Sequence, residues 1–231
     1  MMHSAATYFA TLNAAVGDGW NRFWFTPASA ATLGVMRIAA GALALYTIGA
    51  YGPDLQYWFS TSGMLPTEMI HELYPAQWSL WNYVGAGQLQ LVHYAALAIL
   101  ALFTLGVGGR VVAIASAVIV LSYFNRAPVV SGAFEPGLAV LLVYLCIGRA
   151  GDRVSAQSAL TRRMGGPDRL AVPTASNRIS LRLIPVHVAL VHLMMGLAQL
   201  SAAEGVWWSG EGIWLAAARP GMALVDLSWL A

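Results

Sequence analysis

Long apolar runs dominate the hydrophobic pattern of this chain, in place of the short amphipathic stretches of a soluble protein. A helix needs about 20 mainly apolar residues to cross a bilayer. Five segments approach that length: Ala28–Tyr51, Gln88–Val107, Val111–Phe124, Pro136–Gly148 and Leu183–Ala202. The third and fourth are short, and the fifth has Pro185 near its start, where a missing amide donor costs least. The pattern predicts an all-α, polytopic membrane bundle of about five transmembrane helices.

The two ends of the chain do not match simple spans. The segment Met1–Thr26 mixes aromatic and polar residues, which predicts a segment that lies along the membrane interface. It lacks the basic start, apolar core and cleavage site of a secretory signal, so we expect it to be retained. The closing stretch Ile213–Ala231 contains a proline and two charged residues. Either a re-entrant segment or a truncated sixth helix is compatible with it.

Composition supports a bilayer as the main solvent. Of 231 residues, 58% are hydrophobic and 10% are charged, with a mean hydropathy of +0.64, whereas about 25% of the residues in ordinary soluble domains are charged. All 12 basic residues are arginine, which excludes mechanisms that need a lysine base, a Schiff base or a phosphate-binding lysine. The single cysteine, Cys146, cannot form an internal disulfide and is interpreted as a small buried hydrophobe.

The arginines predict the orientation in the membrane. Seven of them lie in the loop 149–182 between the fourth and fifth spans, whereas the loop 52–87 holds acidic residues and no basic one. The positive-inside rule therefore places the loop 149–182 and the N-terminus in the cytoplasm and the loop 52–87 outside it. Arg126 is the exception, since it falls outside together with Glu135. The arginines do not interleave with aromatic residues, so no nucleic-acid partner is expected.

The two large loops differ in character. The loop 149–182 is rich in glycine, proline and serine, which predicts a mobile linker without a core of its own. The loop 52–87 carries many aromatic residues and is expected to pack over the mouth of the bundle. Small residues such as those of the run Ala39–Ala42 suit close helix packing in lipid.

Arg37 falls inside the first predicted span, because the uncharged portion Ile38–Tyr51 is too short to cross a bilayer alone. A central arginine costs about 2.5–3.5 kcal/mol on insertion scales and normally turns toward a partner or a polar cavity. The alternative is snorkelling, because Arg37 lies roughly 14 Å along a helix from Ala28 and could still reach the headgroups.

His93, His187 and His192 are the intramembrane histidines, and they are the candidates for a catalytic base or a proton relay. His187 and His192 are five residues apart, so they point in directions about 140° apart around a helix, unlike the i, i+4 pairs of helical metal sites. No metal site is therefore predicted. The alternative for each histidine is a lone interhelical hydrogen bond.

Polar residues near the predicted outer ends of the spans could line one vestibule. They are Asn125, Arg126, Glu135, Glu204 and Glu211, with Asp54 and Glu72 of the outer loop. The alternative is that loop ends are simply polar. The sequence contains no phosphate-binding loop, nucleophile elbow, helical zinc motif or cysteine pair, so conventional hydrolase and nucleotide chemistry has no support.

Five motifs, read in order, carry a family resemblance. They are Leu33–Gly41 (LGVMRIAAG), Tyr57–Pro66 (YWFSTSGMLP), Leu105–Arg110 (LGVGGR), Asn125–Pro128 (NRAP) and Gly196–Gly210. In their order and intervals the chain resembles the horizontally transferred transmembrane domain, the bacterial relatives of the vitamin K-dependent γ-carboxylase. The resemblance covers about Trp20 to Ile213. It implies a helical bundle in a bacterial inner membrane with an extracytoplasmic working face. It also implies that residues 1–231 form one such domain that stops early, since family members continue further.

The resemblance also argues against the family's reaction. Members that carboxylate glutamate are similar in a glycine-hydrophobic-lysine-lysine-leucine stretch, whose lysine is thought to deprotonate the quinol cofactor. Here the stretch is Gly196–Leu200, and Gln199 stands at the lysine position. Glutamine is no base near neutral pH, so carboxylation is not expected. What the resemblance leaves is a ligand cavity for a quinone or lipid, with candidate residues Arg37, Arg126, His192, Gln199, Trp208 and Glu211.

Three functions are compatible with these features. The first is a non-carboxylating member of the family that binds a lipid-like or quinone-like molecule in its outer half, alone, as a homo-oligomer or with a membrane protein partner. The second is an enzyme with a changed reaction that uses His93, His187 or His192 as its base. The third is a structural scaffold in which Arg37 pairs inside the bundle and no cavity exists.

Overall fold

A computed structural model describes residues 2–132, 134–165, 172–201 and 205–217. The secondary-structure elements of these residues are helices. Outside them, Ala28 and Thr174 form an isolated antiparallel bridge. The all-α class predicted from the apolar runs is confirmed. Arg169, Glu204 and most of the closing stretch, residues 218–231, lie outside the described residues, so the expectation of a sixth helix or re-entrant segment is not addressed there.

The helices follow the predicted apolar runs with small differences at their ends. They are α1 (Met2–Phe25), α2 (Ala31–Ala50), α3 (Leu55–Phe59), α4 (Thr67–Leu73), α5 (Leu89–Leu105), α6 (Gly109–Arg126), α7 (Glu135–Ile147), α8 (Ala156–Arg163), α9 (Ala175–Leu200) and α10 (Glu211–Ala217), with short 3₁₀ turns at Leu80–Tyr83 and Pro128–Val130. Each of the five predicted spans overlaps one helix, namely α2, α5, α6, α7 or α9.

Three helices, α2, α6 and α9, are long and apolar enough to cross a membrane. The helices α5 and α7 are also apolar but have only 17 and 13 residues, below the roughly 20 that a full crossing needs. These lengths are consistent with a membrane protein. The N-terminal helix α1 has 24 residues and exposes several large apolar side chains, among them Tyr8, Phe9, Leu12, Val16 and Trp20.

The largest boundary difference is at α9, which begins at Ala175 and so contains the last part of the predicted arginine loop. The helix begins early because the Thr174 hydroxyl accepts a hydrogen bond from the Asn177 amide, and the Asn177 side chain is itself bonded to Ala28 and Arg149. Pro185 therefore lies inside α9 and not near its start, so the sequence interpretation of this proline is wrong.

The loop between α7 and α9 is also more structured than predicted. Ala150, Ser155 and Ser158 are buried, and Ser155 and Ser158 form a reciprocal capping box at the start of α8. The sequence predicts a mobile linker without a core of its own here, and in the structure local caps and contacts with the bundle hold this part of the loop.

Packing divides the chain into two compact units, residues 1–184 and 185–231. In the first unit α2 packs on α5, α5 on α6, and α6 on α7, and α7 also contacts α2. Leu33, Ile48, Leu100 and Leu142 are fully buried in this core. Any side chain at Gly41 would overlap Thr104 of α5, so this glycine permits the close approach of α2 and α5.

Candidate functional site

Arg37 and Arg126 are fully buried at opposite ends of α6. Their exposed fractions are 2% and 0%. Arg37 lies against Gly106, shortly before α6 begins, whereas Arg126 is the last residue of that helix. A helix of this length extends roughly 27 Å. The two arginines are therefore too far apart to form one wall of a single small cavity.

The Arg37 guanidinium ties the loop after α7 to α2. Its two terminal nitrogens donate hydrogen bonds to the carbonyl oxygens of Ala150 and Val154, each at 2.7 Å. Val154 has a φ of 53°, a conformation that is a genuine outlier for a β-branched residue. The hydrogen bond from Arg37 helps to hold it. Arg37 thus makes a buried polar contact and does not snorkel.

The space beside Arg37 is small. Gly106 has a φ of 75°, and a Cβ atom there would overlap the guanidinium of Arg37. A cavity of about 20 Å³ lies between this pair, Arg110 and Ala150. That volume has room for about one water molecule. It is too small for a quinone ring or a lipid headgroup.

Arg126 fastens the loop 52–87 to the other end of α6. One of its terminal nitrogens donates to the carbonyl oxygens of Ser60 and Leu65, at 2.6 and 2.8 Å. Asn125 beside it donates to the Trp78 carbonyl at 2.8 Å. The packing predicted for this loop is therefore present. The side chains of Asn125 and Arg126 are occupied by the loop and do not line an open vestibule.

The contacts of the two arginines join the resemblance motifs in pairs. Arg37 of the first motif lies against Gly106 of the third. Arg126 of the fourth motif bonds to Ser60 and Leu65 of the second. Segments that are far apart in the sequence thus meet at each end of the bundle.

An aromatic cluster surrounds His93 at the Arg126 end of the bundle. His93 Nδ1 and the Tyr123 hydroxyl share a hydrogen bond of 2.7 Å between α5 and α6. The Tyr123 ring meets Trp81 and Phe59 edge to face, with centroids 4.6 and 5.1 Å apart, and stacks on Tyr51 at 6.1 Å. His93 is 4% exposed. This is the interhelical hydrogen bond that the sequence offered as the alternative to catalysis.

The remaining carboxylates of the predicted vestibule in the first unit do not converge. Glu135 is buried, whereas Asp54 and Glu72 are exposed. Within the described part of the chain, the ion pair found joins Arg149 and Asp152 at 3.2 Å, so Arg126 and Glu135 are not paired. Nor do those residues include a group of three or more His, Cys, Asp or Glu placed to hold a metal ion.

An apolar groove between α2 and α7 is a ligand-sized space in the first unit. Its volume is about 330 Å³, and its walls are almost wholly apolar. The residues that line it are Met36, Ala39, Ala40 and Leu43 of α2, Gly137, Leu138 and Leu141 of α7, and Phe134 and Ile184 beside them. A space of this size and character suits an acyl or isoprenoid chain.

The remaining candidates belong to the second unit. His192 is exposed, and its Nδ1 donates to the Val188 carbonyl of its own helix at 2.7 Å, so among the described residues its hydrogen bond lies within one helix and is not interhelical. Gln199 and His187 are half-buried, and Trp208 and Glu211 are exposed. A cavity that combines these residues with Arg37 or Arg126 would join the two units, and it stays a prediction.

Sequence reasoning missed Tyr123 and the lining of the groove. A tyrosine near the end of a mainly aliphatic span could have indicated a buried partner for an intramembrane histidine. The groove left no such signal, because apolar residues on a predicted span are expected everywhere. Comparison of the chain with models of known protein families, with curated proteins and with solved structures finds no match.

Proposed function

We propose that this protein is a multi-pass membrane protein of the horizontally transferred transmembrane type that binds the apolar part of a lipid-like or quinone-like molecule and does not carboxylate. The observation that carries the proposal is the apolar groove of about 330 Å³ between α2 and α7. The pairing of the motifs through Arg37 and Arg126 supports the family assignment. The absence of lysine from the chain, with Gln199 at the family's lysine position, argues against carboxylation.

The groove contributes to ligand binding mainly through its shape and adds little hydrophobic free energy. An apolar chain that moves from lipid into an apolar groove gains little hydrophobic free energy, because lipid tails are as apolar as the groove walls. Binding must then come from close packing against small residues, here Ala39, Ala40 and Gly137. Selection of one ligand over bulk lipid rests on that fit and on the ligand's polar end.

In the proposed topology the five helices α2, α5, α6, α7 and α9 cross a bacterial inner membrane. The short helices α5 and α7 need flanking residues or local thinning of the bilayer to do so. The arginine loop is cytoplasmic and the loop 52–87 is extracytoplasmic. The hydrogen bonds of Arg37 to residues 150 and 154, and of Arg126 to residues 60 and 65, support the placement of these loops at opposite ends of α6.

Gly137→Leu tests the groove. A Cβ atom at Gly137 would meet nothing within 4 Å, so leucine fills the groove without forcing the helices apart. The matched control is Gly49→Leu in α2, where the added side chain also has open space but does not line the groove. Native mass spectrometry of detergent-purified protein with added menaquinone or phosphatidylglycerol is expected to show at least about tenfold weaker binding in Gly137→Leu and unchanged binding in Gly49→Leu.

The same measurement separates the rival functions. Loss of bound menaquinone in Gln199→Leu would support a polar contact at the family's reactive position. A wild-type protein that binds neither menaquinone nor lipid would contradict the proposal. It would favour a structural scaffold in which Arg37 is buried and no ligand is bound.

The hydrogen bond of His93 favours a second candidate, an enzyme with a histidine base. Tyr123 fixes the orientation of the imidazole through Nδ1, and the Nε2 atom lies 3.4 Å from the position of a Cβ on Gly52. An oriented imidazole whose Nε2 has no recorded hydrogen bond to the described residues suits proton transfer. Its burial argues against ready access for a substrate, so this candidate ranks second.

A further inference from the structure

The segment between α1 and α2 meets the residue just before α9, so the starts of two membrane-length helices, α2 and α9, lie close together. The amide and carbonyl groups of Ala28 and Thr174 exchange hydrogen bonds of 3.1 Å. The helix α2 begins at Ala31 and α9 at Ala175, and both are long enough to cross a membrane. Residues around this junction therefore lie where the headgroups of a bilayer would be.

Three arginines gather around the last turn of α1. Arg178 Nε donates to the Thr26 carbonyl at 3.1 Å, and the Arg182 guanidinium lies over the Phe23 ring at 4.3 Å. Arg22 is one turn before Thr26, whose hydroxyl donates to the Arg22 carbonyl at 2.8 Å. None of the three arginines forms an ion pair with any residue that the structure describes. Their positive charges are therefore left without a protein counter-charge there.

Two buried donors in the same cluster also lack an acceptor. Arg182 Nε and Trp24 Nε1 are buried, and neither has a hydrogen-bond partner among the described residues. The Trp24 ring meets the Phe23 ring edge to face, with centroids 5.0 Å apart. Phe23 therefore contacts both Arg182 and Trp24. A buried donor without a partner is costly, and a phosphate oxygen is an acceptor that arginine and indole N–H groups bind well.

We propose that this junction binds a phosphate group through Arg178, Arg182 and the Trp24 indole, with Arg22 beside them, and that the phosphate belongs to an anionic phospholipid. The level of the junction, at the start of two membrane-length helices, points to a lipid in preference to free phosphate. Tryptophan and arginine at this level are the residues that anchor proteins to headgroups. The proposal is independent of the groove between α2 and α7, since it uses none of the groove's lining residues.

The double variant Arg178→Gln/Arg182→Gln tests the site in the purified full chain. Arginine near an anionic surface contributes about fivefold to binding, so the double variant should bind phosphatidylglycerol about 25-fold more weakly by native mass spectrometry. The control is Arg162→Gln/Arg163→Gln, which removes the same charge from exposed positions in α8 and should leave binding unchanged. Equal losses in the two double variants, or no loss in either, would overturn a local site.

Two further measurements keep the test decisive. Trp24→Phe retains an aromatic ring and removes only the indole N–H, so it should weaken phosphatidylglycerol binding severalfold while circular dichroism remains that of the wild type. Binding of phosphatidylcholine as tight as that of phosphatidylglycerol would overturn the preference for an anionic lipid. Excess inorganic phosphate should not displace phosphatidylglycerol, and full displacement would instead assign the site to free phosphate.

Discussion

His93 Nδ1 lies 2.7 Å from the hydroxyl of Tyr123, inside the bundle and between two different helices. Both side chains are buried, with exposed fractions of 4% and 1%. Because both groups are buried, loss of this hydrogen bond would leave each polar group unpaired, since water could not replace the partner. The pair therefore fixes the relative rotation of α5 and α6 as well as the orientation of the imidazole.

Removal of the hydroxyl in Tyr123→Phe should destabilise the protein by about 1–3 kcal/mol, because the ring packing is kept but His93 loses its partner. Thermal unfolding in detergent measures the effect. The control Tyr94→Phe removes the hydroxyl of an exposed neighbour of His93 and should leave the melting temperature almost unchanged. An equally small effect in Tyr123→Phe would show that the hydrogen bond contributes nothing.

Arg37→Lys should destabilise the protein by about 2 kcal/mol even though the charge is conserved. The guanidinium reaches two carbonyl oxygens with two separate nitrogens, and the single ammonium of lysine cannot reproduce that fork. Arg162→Lys, at an exposed position of α8, is the matched control. Arg37→Leu should reduce insertion or folding further. A folded Arg37→Leu protein that has lost only ligand binding would contradict the structural role.

Gly106→Ala should be more harmful than Gly165→Ala. Both glycines have a positive φ, 75° and 71°, so each substitution carries a similar backbone strain of about 1 kcal/mol. At position 106 the new Cβ overlaps the Arg37 guanidinium and the Cβ of Ser155, whereas at position 165 it meets open space. The difference in unfolding free energy between the two variants therefore measures these two overlaps together, and equal values would mean that both neighbours move aside freely.

Arg126→Gln should release the segment Tyr57–Pro66 from the end of α6. Ser60 and Leu65 would lose their hydrogen bonds to a charged donor, each worth about 1.5–3 kcal/mol. Hydrogen exchange of this segment should become at least about tenfold faster. Arg110→Gln, whose bond to the Ile147 carbonyl lies at the other end of α6, should leave exchange in the segment unchanged. Unaltered exchange in Arg126→Gln would mean that buried aromatics alone hold the loop.

Asp152 should make the protein more stable as the pH falls. Burial raises the pKa of this carboxyl in the folded chain, against a smaller opposing effect of Arg149 and Arg110. A raised folded pKa means that the folded state binds the proton more tightly. Its stabilising contribution is thus complete below the unfolded pKa and is lost as the pH rises through the folded pKa. Asp152→Asn should remove this component from the free energy of unfolding measured between neutral and mildly acidic pH, and an unchanged pH dependence would mean that burial of this carboxyl contributes nothing.

The apolar pattern was sufficient for the positions of the main helices. Each predicted span overlaps a helix, because a run of apolar residues in a helix-forming sequence specifies the element without knowledge of its neighbours. The early start of α9 was not predictable in this way. It depends on Thr174 and on the contacts of Asn177 with Ala28 and Arg149, residues that the sequence separates by many positions.

Local composition is enough to predict the helical class, close helix packing at small residues such as Gly41, and the exclusion of lysine chemistry. The positions of Arg37 and Arg126 at opposite ends of α6, the pairing of Tyr123 with His93, and the apolar groove between α2 and α7 emerge from the folded chain. They could not be predicted because burial and hydrogen bonding are properties of pairs of segments. The apolar pattern of one segment does not specify which residues of another segment will face it.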